Sequence, residues 1–168
     1  MQNNSIVITE QKFETFHLTT TKYCGNMKNI DDRNNFCEKF GVDYTKIVFA
    51  NQVHGTSVKK VSIQDCGKTI ELCDALITND KNIYLCIFTA DCMPVFLASR
   101  DYSVVAMVHA GWRGLAGGII ESATIRFLED FGISSQDIIA YIGPHISKCC
   151  YQVGNELKKT FNRPPDEE

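Results

Sequence analysis

Ile83-Tyr84-Leu85-Cys86-Ile87-Phe88-Thr89-Ala90-Asp91-Cys92-Met93-Pro94, followed after a second apolar run by Val104-Val105-Ala106-Met107-Val108-His109-Ala110-Gly111-Trp112-Arg113-Gly114, decides how the chain is read. Ile83–Phe88 and Val104–Val108 are short, bounded runs rich in β-branched and aromatic residues, which suit buried strands better than helices. A chemically rich cluster follows each run: Asp91 and Cys92 after the first, His109 and Arg113 after the second. If the two strands are neighbours, Cys92 and His109 meet at their ends although 17 positions separate them. Reactive residues on loops held by a rigid sheet are the common way to place a site. Read singly, Cys92 is a buried thiol and His109 a strand-end residue. Together, beside Gly-rich turns, they point to function.

The rest of the composition narrows the class. At 168 residues the chain fits one domain over residues 1–168, long enough to bury a substantial core. A net charge of −3 leaves no basic excess to neutralise phosphates, which argues against nucleic acid as a partner. No run reaches membrane-spanning length, and Met1–Glu10 lacks the basic and apolar regions of a secretion signal. Without such a signal the eight cysteines read as reduced thiols in the cytoplasm rather than disulfides. Cys37, Cys73 and Cys86, among apolar neighbours, read as small core residues, and packing is also the reading for the adjacent Cys149 and Cys150.

Strands are expected at Ile6–Thr9, Phe13–Thr19, Lys46–Gln52, Ser57–Ile63, Ala75–Thr78 and Ile138–Ile142, with Gln64–Leu72 polar and exposed. Helices are expected at Asp31–Phe40 and Ile119–Phe131, each stopped by a glycine (Gly41, Gly132), and at Gly154–Phe161 before a polar tail. This mixture, strand-rich with a few helices, predicts an α+β domain.

Of four histidines, His17 sits between apolar neighbours and reads as structural. His54 in Gln52-Val53-His54-Gly55-Thr56 and His109 in Val108-His109-Ala110-Gly111 each stand at a strand end before a glycine. With Cys92 they have the ligand count of a catalytic zinc site, three protein donors and an open fourth position for water or substrate. Asp91 reads as an acceptor behind a ligand, as a general base, or as a turn cap. Arg113, flanked by Trp112 and Gly114, suits a bidentate grip on phosphate or a surface ion pair.

Asn51–Thr56, Cys73–Thr78, Thr89–Val95, Val108–Ile119, Ile142–Ile146 and Cys149–Gly154, in that order, resemble the multicopper polyphenol oxidase (laccase domain) family, the YfiH-type purine nucleoside phosphorylase group. The resemblance implies a layered α/β/α domain with a mixed central sheet, shared in outline with the cytotoxic necrotizing factor deamidases. It implies a zinc on His54, Cys92 and His109, the three residues chosen above. It also implies phosphorolysis of adenosine, inosine, guanosine and methylthioadenosine, and deamination of adenosine, with purine nucleoside and phosphate as partners and no membrane.

Some positions depart from the family. Thr21-Lys22-Tyr23-Cys24-Gly25 stands where relatives carry T-R-x-G-G, so Lys22 keeps the charge without the guanidinium fork. Asp32-Arg33-Asn34-Asn35-Phe36 resembles N-R-x-x-L, which makes Arg33 a further phosphate candidate, and His145 replaces a small residue or Cys at a pocket position. Relatives continue past the position of Glu168 with further strands and an Arg-rich motif, so the chain reads as a short or truncated member.

Copper is the less favoured metal. One blue-copper centre already uses two His and a Cys, and an oxygen-reducing cluster needs several more imidazoles than four histidines without an H-x-H pair can supply. The alternative function is a metal-free thiol enzyme. There Cys92 and His109 form a nucleophile–base dyad for deamidation or for editing peptidoglycan precursors.

Overall fold

The computed structural model describes residues 7, 8, 11 and 13–161. The first elements in chain order are β1 (Val7–Ile8), β2 (Thr19–Thr20), α1 (Ile30–Phe40), β3 (Ile47–Ala50), β4 (Val58–Lys60) and β5 (Thr69–Ile70). Then come β6 (Ala75–Thr78), β7 (Tyr84–Cys86), β8 (Met93–Ser99), β9 (Val105–Ala110), α2 (Trp112–Ala116), α3 (Ile119–Phe131), β10 (Ile138–Ile142) and α4 (Asn155–Phe161). The expected strand at Ile6–Thr9 lies partly, and the polar tail 163–168 wholly, outside the described residues.

Two sheets carry the fold. A five-stranded sheet runs β10-β8-β9-β6-β4, antiparallel except for the parallel β4–β6 pair, and a three-stranded parallel sheet runs β5-β3-β7. Alternation along β8 and β9 sets the faces. Val95, Leu97, Ala106, Val108 and Ala110 pack with Ile119, Ala123 and Phe127 of α3, while Phe96, Ala98, Val105 and Met107 face the other way with Phe13 and Tyr141. On that second face Leu76 of β6 meets Val48 and Ala50 of β3, so the two sheets pack together. Ile47 and Phe49, on the far side of β3, cluster with Cys37 and Phe36 of α1. Helices α1 and α3 therefore lie outside and the strands inside, as expected for this α+β class, with the β layer made of two sheets.

Several elements follow from local chemistry. The Asn29 side chain caps α1 by accepting from the N–H groups of Asp31 and Asp32. Gly41 and Gly132 end α1 and α3 in the left-handed conformation, φ 66° and 70°, that favours glycine. Cys37 and Cys73 are buried as expected, and burial, followed by the neighbouring Asp74 charge, pushes the Cys73 thiol up to about 11.

Cys149 and Cys150, read from the sequence as packed, are both exposed, and the reading of the elements needs four corrections. Ile83–Phe88 and Val104–Val108 are not neighbours, because β7 lies in the three-stranded sheet and β9 in the five-stranded one. The partner of β9 is the run between them, β8, paired with Met93 opposite Ala110 and Pro94 opposite His109. A short turn closes this hairpin: the Asp101 carboxylate accepts from Ser99 Oγ, Ser103 N–H and Ser103 Oγ, which holds it down at about 2. Local closure of this kind costs little chain entropy, so the adjacent run wins the pairing.

In place of a strand at Phe13–Thr19 only Thr19–Thr20 pairs, with Val7–Ile8, while Phe13 and His17 sit edge-on against Phe96. The Trp112–Ala116 stretch, read as a Gly-rich turn, is the short helix α2. Within Gln64–Leu72, Thr69–Ile70 adds a strand to β3.

Candidate metal centre

The chain passes from the three-stranded to the five-stranded sheet three times, and each of these crossings delivers one polar residue to the same place. The β3–β4 crossing carries His54, the β5–β6 crossing Asp74, and the β7–β8 crossing Cys92. His109 arrives at the end of β9, opposite Pro94, so the β8–β9 register sets it beside Cys92. One donor atom from each of His54, Cys92 and His109 lies within 4.8 Å of the others, a group that could hold a metal ion. Ligands around a tetrahedral zinc at 2.0–2.3 Å stand roughly 3.3–3.8 Å apart, so these donors need only a small inward movement. Soft thiolate and imidazole donors together suit zinc.

Asp74 organises the group. It is fully buried, and its carboxylate accepts the N–H groups of Val53 at 3.2 Å, His54 at 2.9 Å and Gly55 at 2.7 Å. It also accepts the Nδ1–H of His109 at 2.8 Å. A carboxylate has no proton to give here, so this bond fixes the His109 tautomer and leaves Nε2 as the ring's free nitrogen. Four donors also offset the cost of burying the charge. The same bonds hold His54 at φ 61°, a left-handed conformation that a non-glycine residue keeps only when its surroundings impose it.

Gln52 ties two of the crossings together, donating from Nε2 to Phe88 O and accepting Phe88 N–H at Oε1. His54 is exposed, Cys92 half-buried and His109 buried, and the backbone at Gly111 closes one side of the group. A methyl group on Gly111 would come within 3.0 Å of His54 Cδ2 and 3.3 Å of Cys92 Sγ.

The helix α2 packs against the His54 turn just as tightly. A Cβ on Gly114 would lie 2.8 Å from the Gly55 carbonyl oxygen, so backbone would have to move. Gly114→Ala is expected to destabilise the fold by about 1–3 kcal/mol, read as a lowered denaturant midpoint with an unchanged slope. An unchanged midpoint would show that the contact has slack.

The remaining candidates fall into two places. Asp91 is exposed, and the acceptor position behind a ligand belongs to Asp74 instead. Burial, then the charges of Asp91 and Asp74, push the Cys92 thiol up. Arg113, exposed in α2, rests its guanidinium over the Trp112 ring at 4.3 Å, and no ion pair among the described residues engages it. His145 donates Nδ1–H to Gly143 O, and the next residue, Ile146, donates its N–H to Asp91 O, beside Cys92.

Lys22 and Arg33 line a separate cavity of about 900 Å³ to which His54, Cys92, His109, Arg113 and His145 do not contribute. Arg33 there already donates to Met27 O and Tyr44 Oη. Asp74 is the residue sequence reasoning missed. Its only signal was a carboxylate placed immediately before the wholly apolar run Ala75-Leu76-Ile77, where a charge needs a partner.

Known proteins share this frame. A family model described as multi-copper polyphenol oxidoreductase laccase matches residues 8–168. The purine nucleoside phosphorylase YlmD of Bacillus subtilis is 31% identical over 165 residues, which cover 94% of this chain and 59% of that protein. The purine nucleoside phosphorylase of Aquifex aeolicus is 46% identical over 90 residues, 54% of this chain and 41% of that one. The crystal structure of YlmD from Geobacillus stearothermophilus matches with a TM-score of 0.78 at 28% identity, covering 88% of this chain and 59% of that chain. This chain spans about half the length of the curated relatives it matches.

Proposed function

We propose that this chain, which belongs to the multi-copper polyphenol oxidoreductase laccase family, is a zinc-dependent purine nucleoside enzyme. Its reactions are phosphorolysis of adenosine, inosine, guanosine and methylthioadenosine, and deamination of adenosine. The observation that carries this reading is the His54–Cys92–His109 group with Asp74 behind it, on a chain whose curated relatives are named purine nucleoside phosphorylases.

Zinc is favoured over copper chemistry by donor count. Among the described residues only His54 and His109 belong to a metal-capable group, while His17 packs among Phe13, Phe96 and Tyr141, and His145 bonds Gly143 O. A cluster that reduces oxygen needs more imidazoles than that. The thiol-dyad alternative needs a Cys92 thiolate without metal, and both burial and two nearby carboxylates oppose it.

When bound, zinc supplies a Lewis acid beside the reacting atoms. The chain's own residues do the rest. His54, Cys92 and His109 hold the ion, and Asp74 keeps His109 in the donating tautomer. Arg113, without an ion pair among the described residues, grips phosphate while a phosphate oxygen attacks C1′ of the ribose and the N9–C1′ bond breaks. Asp91, exposed next to Cys92 in the chain, moves the proton that the departing purine needs, or the one transferred in deamination. Lys22, Arg33 and His145 are subsidiary phosphate or pocket residues. With Lys22 and Arg33 lining the other cavity, Arg113 is the main one.

The test is chromatography of adenosine incubated with the purified chain, with and without phosphate. Adenine that forms only with phosphate supports phosphorolysis, and inosine in both samples supports deamination. Adenosine recovered unchanged in every sample overturns the nucleoside reading for this chain.

A further inference from the structure

Cys149 and Cys150 play no part in the chemistry above, and both are exposed with their sulfurs 3.3 Å apart. The loop that presents them is pinned at several points. Ile146 N–H is bonded to Asp91 O, and the N–H groups of Cys150 and Tyr151 both donate to Ser147 O. The backbone that carries the pair is therefore ordered before any ligand arrives, which lowers the ordering cost of binding.

Two features of the pair select its chemistry. Adjacent Cα atoms are about 3.8 Å apart across a trans peptide, below the span a disulfide normally bridges, so the pair favours the dithiol state. A sulfur separation of 3.3 Å matches a chelate instead, since two sulfurs each about 2.3 Å from one atom subtend roughly 90° there.

We propose that Cys149 and Cys150 form a two-sulfur chelating site for a soft, thiophilic metal ion or trivalent metalloid, separate from the His54–Cys92–His109 group. With a trivalent organoarsenical oxide the step balances without redox change. Two S–H bonds and the bonds to the arsenic-bound oxygen break, two As–S bonds form, and both protons leave on that oxygen as water. The mutual hydrogen bond of the two thiols, with burial second, holds Cys150 up, so the protons are present to leave.

The probe is phenylarsine oxide added to the full chain in a non-thiol reductant, followed by intact and peptide mass spectrometry. The expected result is one phenylarsenic group per chain on the peptide carrying Cys149 and Cys150, removed by a small dithiol and resistant to a monothiol. Cys149→Ser and Cys150→Ser are each expected to lower the affinity on the order of 100-fold, the advantage of an intramolecular second thiol. Cys92→Ala is expected to leave the adduct in place. An adduct mapped to another cysteine, or serine variants that bind like the parent chain, would overturn the proposal.

Discussion

Asp74→Asn is expected to destabilise the metal-free chain by roughly 1–3 kcal/mol, the cost of leaving a buried donor without its acceptor. The substitution keeps the shape and changes the chemistry. The carboxylate accepts from three consecutive backbone N–H groups and from His109, whereas an amide has one accepting oxygen and turns an NH2 toward the others. At least one backbone donor is then stranded in the interior, where the cost of leaving it unmet exceeds the value of the bond that was lost. His109 loses the partner that fixes its tautomer, and His54 loses the bonds that hold its left-handed backbone.

Zinc affinity should therefore fall about 10–100-fold in addition to the loss of stability. Urea unfolding without metal, together with a zinc titration against a chromophoric competitor, separates the two effects. Unchanged values in both would remove Asp74 from the organising role described here.

Cys92→Ala addresses the metal directly. Structural zinc in small sites binds with about 10–16 kcal/mol shared among its ligands, so deleting the sole thiolate is expected to cost about 3–5 kcal/mol, or at least 100-fold in affinity. Turnover of adenosine in phosphate should disappear with the metal. The fold should survive, because Cys92 is only partly buried and no core cluster includes it. Bound zinc and turnover are measured on the same preparation, so a folding defect is distinguishable from a lost ligand. A variant retaining both would refute the central role given to Cys92.

His54, Cys92 and His109 were legible because each stands beside a break in an apolar run, where polar chemistry has no packing role to explain it. The helices α1 and α3 were legible for a related reason, since an apolar face and a terminal glycine are both local signals. Sheet neighbours are not local. Two apolar runs of equal quality at Ile83–Phe88 and Val104–Val108 carry nothing that assigns them to different sheets, and the Met93–Ser99 run that separates them decides the matter through its short turn. Asp74 was obscured differently. Its role depends on three N–H groups some 20 residues earlier and a ring 35 residues later, partners that exist only once the sheets have packed.

The three crossings have a consequence for mechanics. His54 and Cys92 hang from the three-stranded sheet on one side and lead into the five-stranded sheet on the other, while His109 belongs wholly to the latter. An ion gripped by all three acts as a rivet driven through both sheets. Any motion that slides one sheet over the other must stretch its coordination, and at a free concentration 100 times the dissociation constant the ion adds about 2.7 kcal/mol against separation. Tightness of the interior and occupancy of the centre thus become one property, felt from either end.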